Sequence, residues 1–335
     1  MSQPLRLGWK ASAEQFGPRQ LLDFAILAEE VGFDSVWVSD HYRPWRHTGG
    51  HAPFSMAWLA ALGERSSRVL MGTSVLTPTF RYHPAVVAHA FATLGVMYPE
   101  RVILGIGTGE SMNEVPVLGI EWPEFRERFR RLSEATKLIR KLWTEDFVDF
   151  DGDFYHVHGL TLYDRPEKPV PIYVAASGEV AARFAGREGD GLICTSGKGM
   201  ELYRDKLLPA AREGAQAGGR DFDALDRTIE MKVSFNPDRA RALADTRIWA
   251  ALALPAQDKV DVYDPRELEA RADRVEDPER RWLVSDDVEE HLEQLAPYLE
   301  LGFRHLVFHA PGDDQAGFLR LYAQEVLPRL RERWG

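Results

Sequence analysis

The chain contains little of what stabilises secreted or metal-binding proteins. Cys194 is its single cysteine among 335 residues, which excludes an internal disulfide and suits a reducing compartment such as the cytoplasm. No HExxH motif, cysteine pair or helical histidine pair occurs, so we expect no metal site. No run of 18 apolar residues is present, and the first residues form no apolar signal region, so we expect neither a membrane span nor export.

Lysine is also scarce, at eight of the 41 lysine and arginine residues. The formal net charge of −11 argues against nucleic acid or an anionic membrane surface as a partner. Any anionic ligand must therefore be held by a few local cations. The 44% hydrophobic and 28% charged fractions are typical of a soluble globular protein.

A short apolar strand at residues 35–38 runs directly into polar and aromatic residues. Asp40, His41 and Trp45 follow it, and Pro44 prevents a helix from starting at once. In a (β/α)₈ barrel, catalytic residues lie at the C-terminal ends of strands. The stretch therefore predicts a site for proton transfer beside a flat ring. The alternative is an ordinary strand end with a hydrogen-bonded histidine.

Eight predicted strands alternate for the most part with helices. We expect the strands at 5–10, 35–38, 69–75, 102–106, 171–175, 191–195, 228–235 and 305–309. Helices are expected at 18–32, 54–64, 84–96, 124–143, 238–251, 265–273, 286–302 and 318–333, and one more after each of the turns at 176–178 and 196–198. The helix at 286–302 is expected to be uneven because of Pro297. This order predicts an α/β fold with a closed parallel sheet, a (β/α)₈ TIM barrel, as one domain over residues 1–335. A hairpin at 147–163 and an irregular stretch at 255–280 are loop insertions, and an open six-stranded sheet is the alternative fold.

Glycines follow the fourth predicted strand at residues 105–110. Their G-x-G-x-G spacing matches the dinucleotide-binding motif poorly, and the acid that this motif requires is missing. The glycines favour instead a close approach of backbone N–H groups to a ring or phosphate, with the Glu110 carboxylate beside them. Residues 175–178, before a helix, form a second candidate anion site. Taken alone, the two stretches are explained more simply as an exposed loop acid and an ordinary turn.

Eight stretches, distributed over nearly the whole chain, form an ordered set. They are residues 10–16 (KASAEQF), 39–41 (SDH), 44–47 (PWRH), 49–54 (GGHAPF), 72–82 (GTSVLTPTFRY), 107–110 (GTGE), 194–199 (CTSGKG) and 305–312 (HLVFHAPG). Single glycines and prolines in them are unspecific, but the ordered set is highly specific. It closely resembles the F420-dependent glucose-6-phosphate dehydrogenases, a branch of the luciferase-like barrel superfamily.

The resemblance implies a barrel, usually a homodimer, that binds the deazaflavin coenzyme F420 at its C-terminal end. The reaction it implies is oxidation of glucose 6-phosphate at C1 to 6-phosphogluconolactone, with hydride transfer to C5 of the deazaflavin. His41 then corresponds to the group that takes or orients the C1 hydroxyl proton, and Glu14 to an alternative or partner base. Glu110 resembles the acid beside N1 of the deazaflavin, and Trp45 a wall over the reacting carbon.

The resemblance also implies two sets of binding residues. Coenzyme-contacting positions are Asp40, Ser74, Val75, Gly107, Thr108, Gly109, Asn113, Ala175, Ala176, Ser177, Gly178 and Cys194, and the peptide between Ser74 and Val75 is expected to be cis. The sugar-phosphate clamp consists of Thr195, Lys198, Lys259 and Arg281. Two stretches, 115–121 and 260–280, are shorter than the family's pattern. A related sugar, such as fructose or mannose 6-phosphate, therefore remains open as the preferred substrate.

Two other functions remain as alternatives. One is an F420- or FMN-dependent reductase or monooxygenase of the same superfamily, which would have no use for the three cations of the clamp. The other is a non-catalytic coenzyme-binding barrel, and the joint presence of His41, Glu14 and Glu110 argues against it.

Overall fold

A closed barrel of eight parallel strands organises the computed structural model, which describes residues 3–259 and 262–335. Its strands are β1 (Arg6–Ala11), β2 (Ser35–Val38), β3 (Leu70–Thr73), β4 (Val102–Ile106), β7 (Ile172–Ala175), β8 (Gly191–Thr195), β9 (Asp226–Phe235) and β11 (His305–His309). Each strand pairs in parallel with the next along the chain, and β11 returns to β1. The pairing of β8 with β9 closes the ring and excludes the open six-stranded sheet. All eight predicted strands are confirmed.

Alternation of side chains divides the core into two layers. Trp37, Ile103, Tyr173, Ile193 and Val307 form a cluster of their own inside the barrel. Their neighbours along the strands face outward and join the larger cluster between the barrel and its helices. The period of two thus determines which residues at each strand end can reach the barrel mouth.

Helices surround the barrel. They are α1 (Pro18–Glu30), α2 (Ser55–Arg65), α3 (Pro84–Met97), α4 (Ser111–Leu118), α5 (Phe125–Thr144), α6 (Glu179–Glu188), α7 (Leu208–Ala217), α8 (Arg239–Asp245), α9 (Pro265–Ala272), α10 (Val288–Glu300), α11 (Gln315–Glu325) and α12 (Leu327–Trp334). Helix α5 illustrates how a helix packs against the barrel through an apolar face. Its residues Leu132, Ala135, Ile139 and Leu142 form one buried stripe. Within the described residues, every helix is too short or too polar to cross a membrane.

One predicted insertion is confirmed, and two predicted helices differ from expectation. The predicted hairpin is confirmed as β5 (Val148–Asp151) and β6 (His156–Leu160). The helix predicted at 238–251 is wrong in part, because after Asp245 the chain continues as a 3₁₀ helix, Thr246–Ala253. The helix predicted at 318–333 is two helices, and α12 has Pro328 in its first turn, where a missing N–H costs nothing. Helix α10 is continuous despite Pro297.

Several short elements were not predicted, and three of them lie near the barrel mouth or its edge. Helix α4 directly follows the glycine loop, and Pro116 inside it obscured its pattern. The strand β10 (Leu283–Ser285) pairs with β9 outside the closed ring. A 3₁₀ turn, Pro278–Arg281, carries Arg281 towards the barrel mouth. The expectation that residues 260–280 are shorter than usual falls partly on residues 260 and 261, which lie outside the described residues.

Candidate active site

Two adjoining cavities open at the C-terminal end of the barrel. The wide cavity has a volume of about 670 Å³, and the slot beside it has about 330 Å³. Five residues line both of them and so mark the border between the two spaces: His41, Ser74, Glu110, Thr195 and Glu230. The mouth of a (β/α)₈ barrel is where such enzymes carry out their chemistry.

His41 lies at this border between two carboxylates. Its Nδ1 is 2.9 Å from Glu14 Oε1, and its Nε2 is 3.5 Å from Glu110 Oε2. Ser39 Oγ donates a hydrogen bond of 3.0 Å to the other oxygen of Glu14. Glu14 is buried, whereas the Glu110 side chain is 47% exposed in the cavity. The imidazole is therefore anchored through Nδ1, and its Nε2 faces the open space.

The charges of this trio reinforce one another. Burial alone would raise the pKa of Glu14, but the charge and hydrogen bond of His41, together with the charge of Lys10, lower it to about 2. Burial alone would lower the pKa of His41, but the charge and hydrogen bond of Glu14 outweigh it and raise that pKa. His41 is therefore a stronger base than a free histidine, and Glu14 stabilises the imidazolium that forms when it accepts a proton.

Lys198, Lys259 and Arg281 all line the wide cavity, as does Thr195. Among the described residues, none of the three cations has a carboxylate within ion-pairing distance, and Arg281 Nε is buried without a hydrogen-bond partner. Burial and the charge of Arg281 lower the pKa of Lys198 and of Lys259, although Glu110 acts in the opposite sense on Lys259. Lys259 Nζ also lies 5.7 Å from the ring centroid of Trp45. This concentration of unpaired positive charge is suited to an anionic ligand.

The slot has two apolar side chains and several small residues in a lining that is otherwise mostly polar. Val75 and Ile193 line it, together with residues 107–109 and 175–177. Gly109 has φ +86°, a conformation that glycine adopts at no steric cost. Ala176 N is already used in a 2.9 Å hydrogen bond to Ile193 O. The predicted cis peptide between Ser74 and Val75 is confirmed.

Asp40 and Asn113 line the slot and also fix the loops around it. Asp40 Oδ1 accepts a 2.6 Å hydrogen bond from Ser55 Oγ, and its other oxygen pairs with Arg81. Asn113 Oδ1 accepts from the backbone N–H of Tyr42 at 2.9 Å. These contacts hold the loop that carries His41 and Trp45. Asp40 and Asn113 therefore line the slot and also hold the surrounding loops in place.

Two predicted residues do not join the others. Cys194 is buried in the layer between the barrel and its helices, because its neighbours Ile193 and Thr195 point inward and it points outward. Burial raises the pKa of its thiol to about 12. Gly178 lines neither cavity and is the N-cap residue of α6. The structure thus brings together 18 of the 20 predicted site residues around the two cavities.

A model of the luciferase-like monooxygenase family matches residues 3–305. A relative from Nakamurella multipartita, named F420-dependent glucose-6-phosphate dehydrogenase, is 60% identical over 98% of this chain and 97% of its own. The chain belongs to the luciferase-like family. A relative of the same name from Intrasporangium calvum is 59% identical over 98% of this chain and 99% of its own. The resemblance found in the sequence motifs is therefore confirmed.

A solved structure supports both fold and family. It is described as an F420-dependent secondary alcohol dehydrogenase in complex with an F420-acetone adduct. Its sequence is 34% identical to this chain, and the match covers 97% of this chain and 98% of that one with a TM-score of 0.91. The (β/α)₈ barrel predicted from the alternation of strands and helices is that of the luciferase-like family.

Sequence reasoning missed four polar residues inside this luciferase-like barrel. Lys10, Glu230, Lys232 and His309 are buried and line the wide cavity. Glu230 and Lys232 are two residues apart on β9, so both point into the barrel. Charges at a period of two, alternating with the apolar Ile229, Met231 and Val233, were the signal that could have identified them.

Proposed function

We propose that the protein oxidises glucose 6-phosphate at C1 to 6-phosphogluconolactone, with F420 as hydride acceptor. Three features of the site support this function together. A histidine base lies between two carboxylates, three cations lack an anionic partner, and both groups face one cavity. The names of the relatives that are 56–60% identical to this chain agree with it.

The observation that carries the proposal is the position of the unpaired cations relative to His41. A monooxygenase or a reductase of an uncharged substrate gains nothing from Lys198, Lys259 and Arg281, and burying their charges together costs free energy. A phosphate dianion repays that cost through charge-assisted hydrogen bonds, including bidentate ones to arginine. An acidic protein of net charge −11 needs such a local pocket to bind a sugar phosphate.

The slot fits a deazaflavin. Val75 and Ile193 offer an apolar surface to a flat ring, and small residues at 107–109 and 175–177 leave its rim open. The N-terminus of α6, capped by Gly178, suits the phosphate of the coenzyme's tail. We propose the slot residues named above as the coenzyme site. When bound, F420 supplies the carbon that accepts hydride, its deazaflavin C5.

The protein's own residues supply proton transfer and orientation. The C1 hydroxyl of the sugar loses its proton to Nε2 of His41 as hydride leaves C1, so that the C1–O bond becomes the lactone carbonyl. Glu14 holds Nδ1 and stabilises the imidazolium. Trp45, with its ring centroid 6.0 Å from that of His41, shields the reacting carbon from water. Glu110, at the border of the two cavities, faces the coenzyme side and corresponds to the family's acid beside N1 of the deazaflavin.

We also propose a homodimer located in the cytoplasm. The resemblance to the family supports the dimer, and the single buried cysteine suits a reducing compartment. Light scattering at several protein concentrations measures the mass directly. A species of 38.0 kDa at every concentration would reject the dimer.

The function is tested by mixing the protein with F420 and a panel of sugar phosphates. The expected result is loss of the visible absorbance of oxidised F420 with glucose 6-phosphate, and a smaller or no effect with fructose or mannose 6-phosphate. FMN in place of F420 is the control, and it should give no turnover. Turnover with FMN and oxygen, unaffected by sugar phosphates, would identify a monooxygenase instead.

A further inference from the structure

Four buried polar residues lie at the floor of the wide cavity, and apart from the charge that Lys10 exerts on Glu14 they have no part in the proton transfer or phosphate binding described above. We name Lys10, Glu230, Lys232 and His309 the floor cluster. Their side chains are 6%, 10%, 5% and 3% exposed. Lys10 and His309 lie at the C-terminal ends of β1 and β11, Glu230 and Lys232 lie in the middle of β9, and strand pairing aligns Lys232 with His309.

Burying the charges of the floor cluster in the barrel interior costs free energy of desolvation. Glu230 is the single carboxylate, and it lies 3.4 Å from Lys10 Nζ, 3.5 Å from Lys232 Nζ and 3.5 Å from His309 Nδ1. Two ammonium groups thus share one carboxylate. Apolar side chains of similar volume would pack a barrel interior at least as stably as buried ions. Stability therefore does not account for the cluster.

The hydrogen-bonding capacity of the floor cluster is largely unused. Lys10 Nζ donates to Ser74 O at 2.7 Å. Lys232, by contrast, contacts Glu230 alone among the ion-pair partners that the structure describes, although an ammonium has three donors. His309 Nδ1 faces Glu230 at 3.5 Å, and its Nε2 is buried without a hydrogen-bond partner in that part of the chain. Buried polar groups of this kind normally have partners, so a ligand is expected to provide them.

The chemistry of that ligand follows from the mixture of donors and acceptors. Glu230 accepts, Lys232 donates, and Nε2 of a neutral His309 whose Nδ1 donates to Glu230 accepts. A hydroxyl group both donates and accepts, so adjacent hydroxyls on a ring match this set. The same cavity is bordered by His41 and by the phosphate clamp, which would contact the two ends of a hexose phosphate. The hydroxyls on C2, C3 and C4 then remain for the floor.

We infer that Glu230, Lys232 and His309 bind the ring hydroxyls of the sugar and select its configuration. This inference rests on the proposed function, because it assigns the part of the sugar that His41 and the clamp leave uncontacted. A site that recognises hydroxyls through buried polar groups rejects analogues that lack them, since those groups then lose their partners. The floor cluster thereby determines which hexose 6-phosphate is used.

The test is the variant Lys232→Met, which keeps the volume of the stem and leaves Glu230 paired with Lys10. The F420-loaded enzyme is assayed with glucose 6-phosphate and its 2-, 3- and 4-deoxy analogues. We expect kcat/KM for glucose 6-phosphate to fall about ten- to hundred-fold. For the analogue without the hydroxyl that Lys232 binds, the loss should stay within about three-fold. Equal losses for all four sugars would overturn the inference.

Controls separate this outcome from misfolding and from failure of the proposed function. Lys206→Met, at an exposed lysine, should change none of the four values. If Lys232→Met does not fold, as judged by circular dichroism and F420 binding, Glu230→Gln is assayed with the same four sugars and the same criterion. If the wild type fails to oxidise glucose 6-phosphate, calorimetric binding of 1,5-anhydroglucitol 6-phosphate still tests the floor. Unchanged affinity of that compound in Lys232→Met would contradict the inference.

Discussion

Replacing Lys198 by methionine should weaken binding of phosphorylated sugars and leave the rest of the reaction intact. Lys198 lines the wide cavity beside Arg281 and Lys259, on the loop after β8. Among the described residues it has no carboxylate partner, so its charge is available to a ligand. Methionine keeps the apolar stem and removes the ammonium alone. The change therefore addresses the charge rather than the packing.

The size of the effect follows from the kind of contact that is lost. A hydrogen bond to a charged group contributes about 1.5–3 kcal/mol, more than one between neutral groups. Each 1.4 kcal/mol corresponds to a factor of ten, so KM for glucose 6-phosphate should rise about ten- to hundred-fold. Two cations remain in the clamp, which is why binding should be weakened rather than abolished.

The assay compares glucose 6-phosphate with free glucose in the F420-loaded enzyme. With free glucose, Lys198→Met and the wild type should have the same kcat/KM, because the clamp then has no phosphate to hold. F420 affinity, measured by quenching of its fluorescence, should be unchanged. Lys206→Met, at an exposed lysine, provides the matched control. Equal losses on both sugars would refute the clamp and indicate a structural role for Lys198.

Three further changes test the remaining parts of the site. His41→Ala should lower kcat by about 10²- to 10⁴-fold and leave F420 affinity nearly unchanged. A variant that keeps half of the wild-type activity would reject His41 as the base. Glu14→Gln removes the charge that raises the pKa of His41, so this pKa should fall. The decrease of kcat/KM on acidification should then begin at a lower pH than in the wild type. An unmoved pH profile would show that Glu14 does not act through His41. Glu110→Gln should lower kcat more than it raises KM for glucose 6-phosphate in steady-state assays, and the reverse pattern would assign Glu110 to sugar binding.

The sequence predicted the barrel well because its strands are short, apolar and regularly separated by amphipathic helices. The site was found for the same reason: Asp40, His41 and Glu110 directly follow strands, and parallel strands bring their C-terminal ends together. Irregular elements escaped prediction. The three residues of β10 carry no periodicity, and Pro116 in α4 contradicts the usual signature of a helix.

The remaining differences between the predicted and the observed site concern the direction of one side chain and the burial of charged residues. Cys194 lies between two residues of the slot in sequence, yet the period of two turns it away from the cavity. Glu230 and Lys232 were passed over because charged residues are rarely buried, although their period of two places both on one face of the strand. That they are buried here became visible only once the strand register was known.

Transfer of a labelled hydrogen tests the central claim most directly. Glucose 6-phosphate carrying deuterium at C1 is oxidised by the F420-loaded enzyme, and the reduced coenzyme is examined by mass spectrometry and NMR. The account predicts one deuterium at C5 of the deazaflavin, 6-phosphogluconolactone as product, and slower turnover than with the unlabelled sugar. Reduced F420 without deuterium, or deuterium released to water, would contradict direct hydride transfer from C1 at this site.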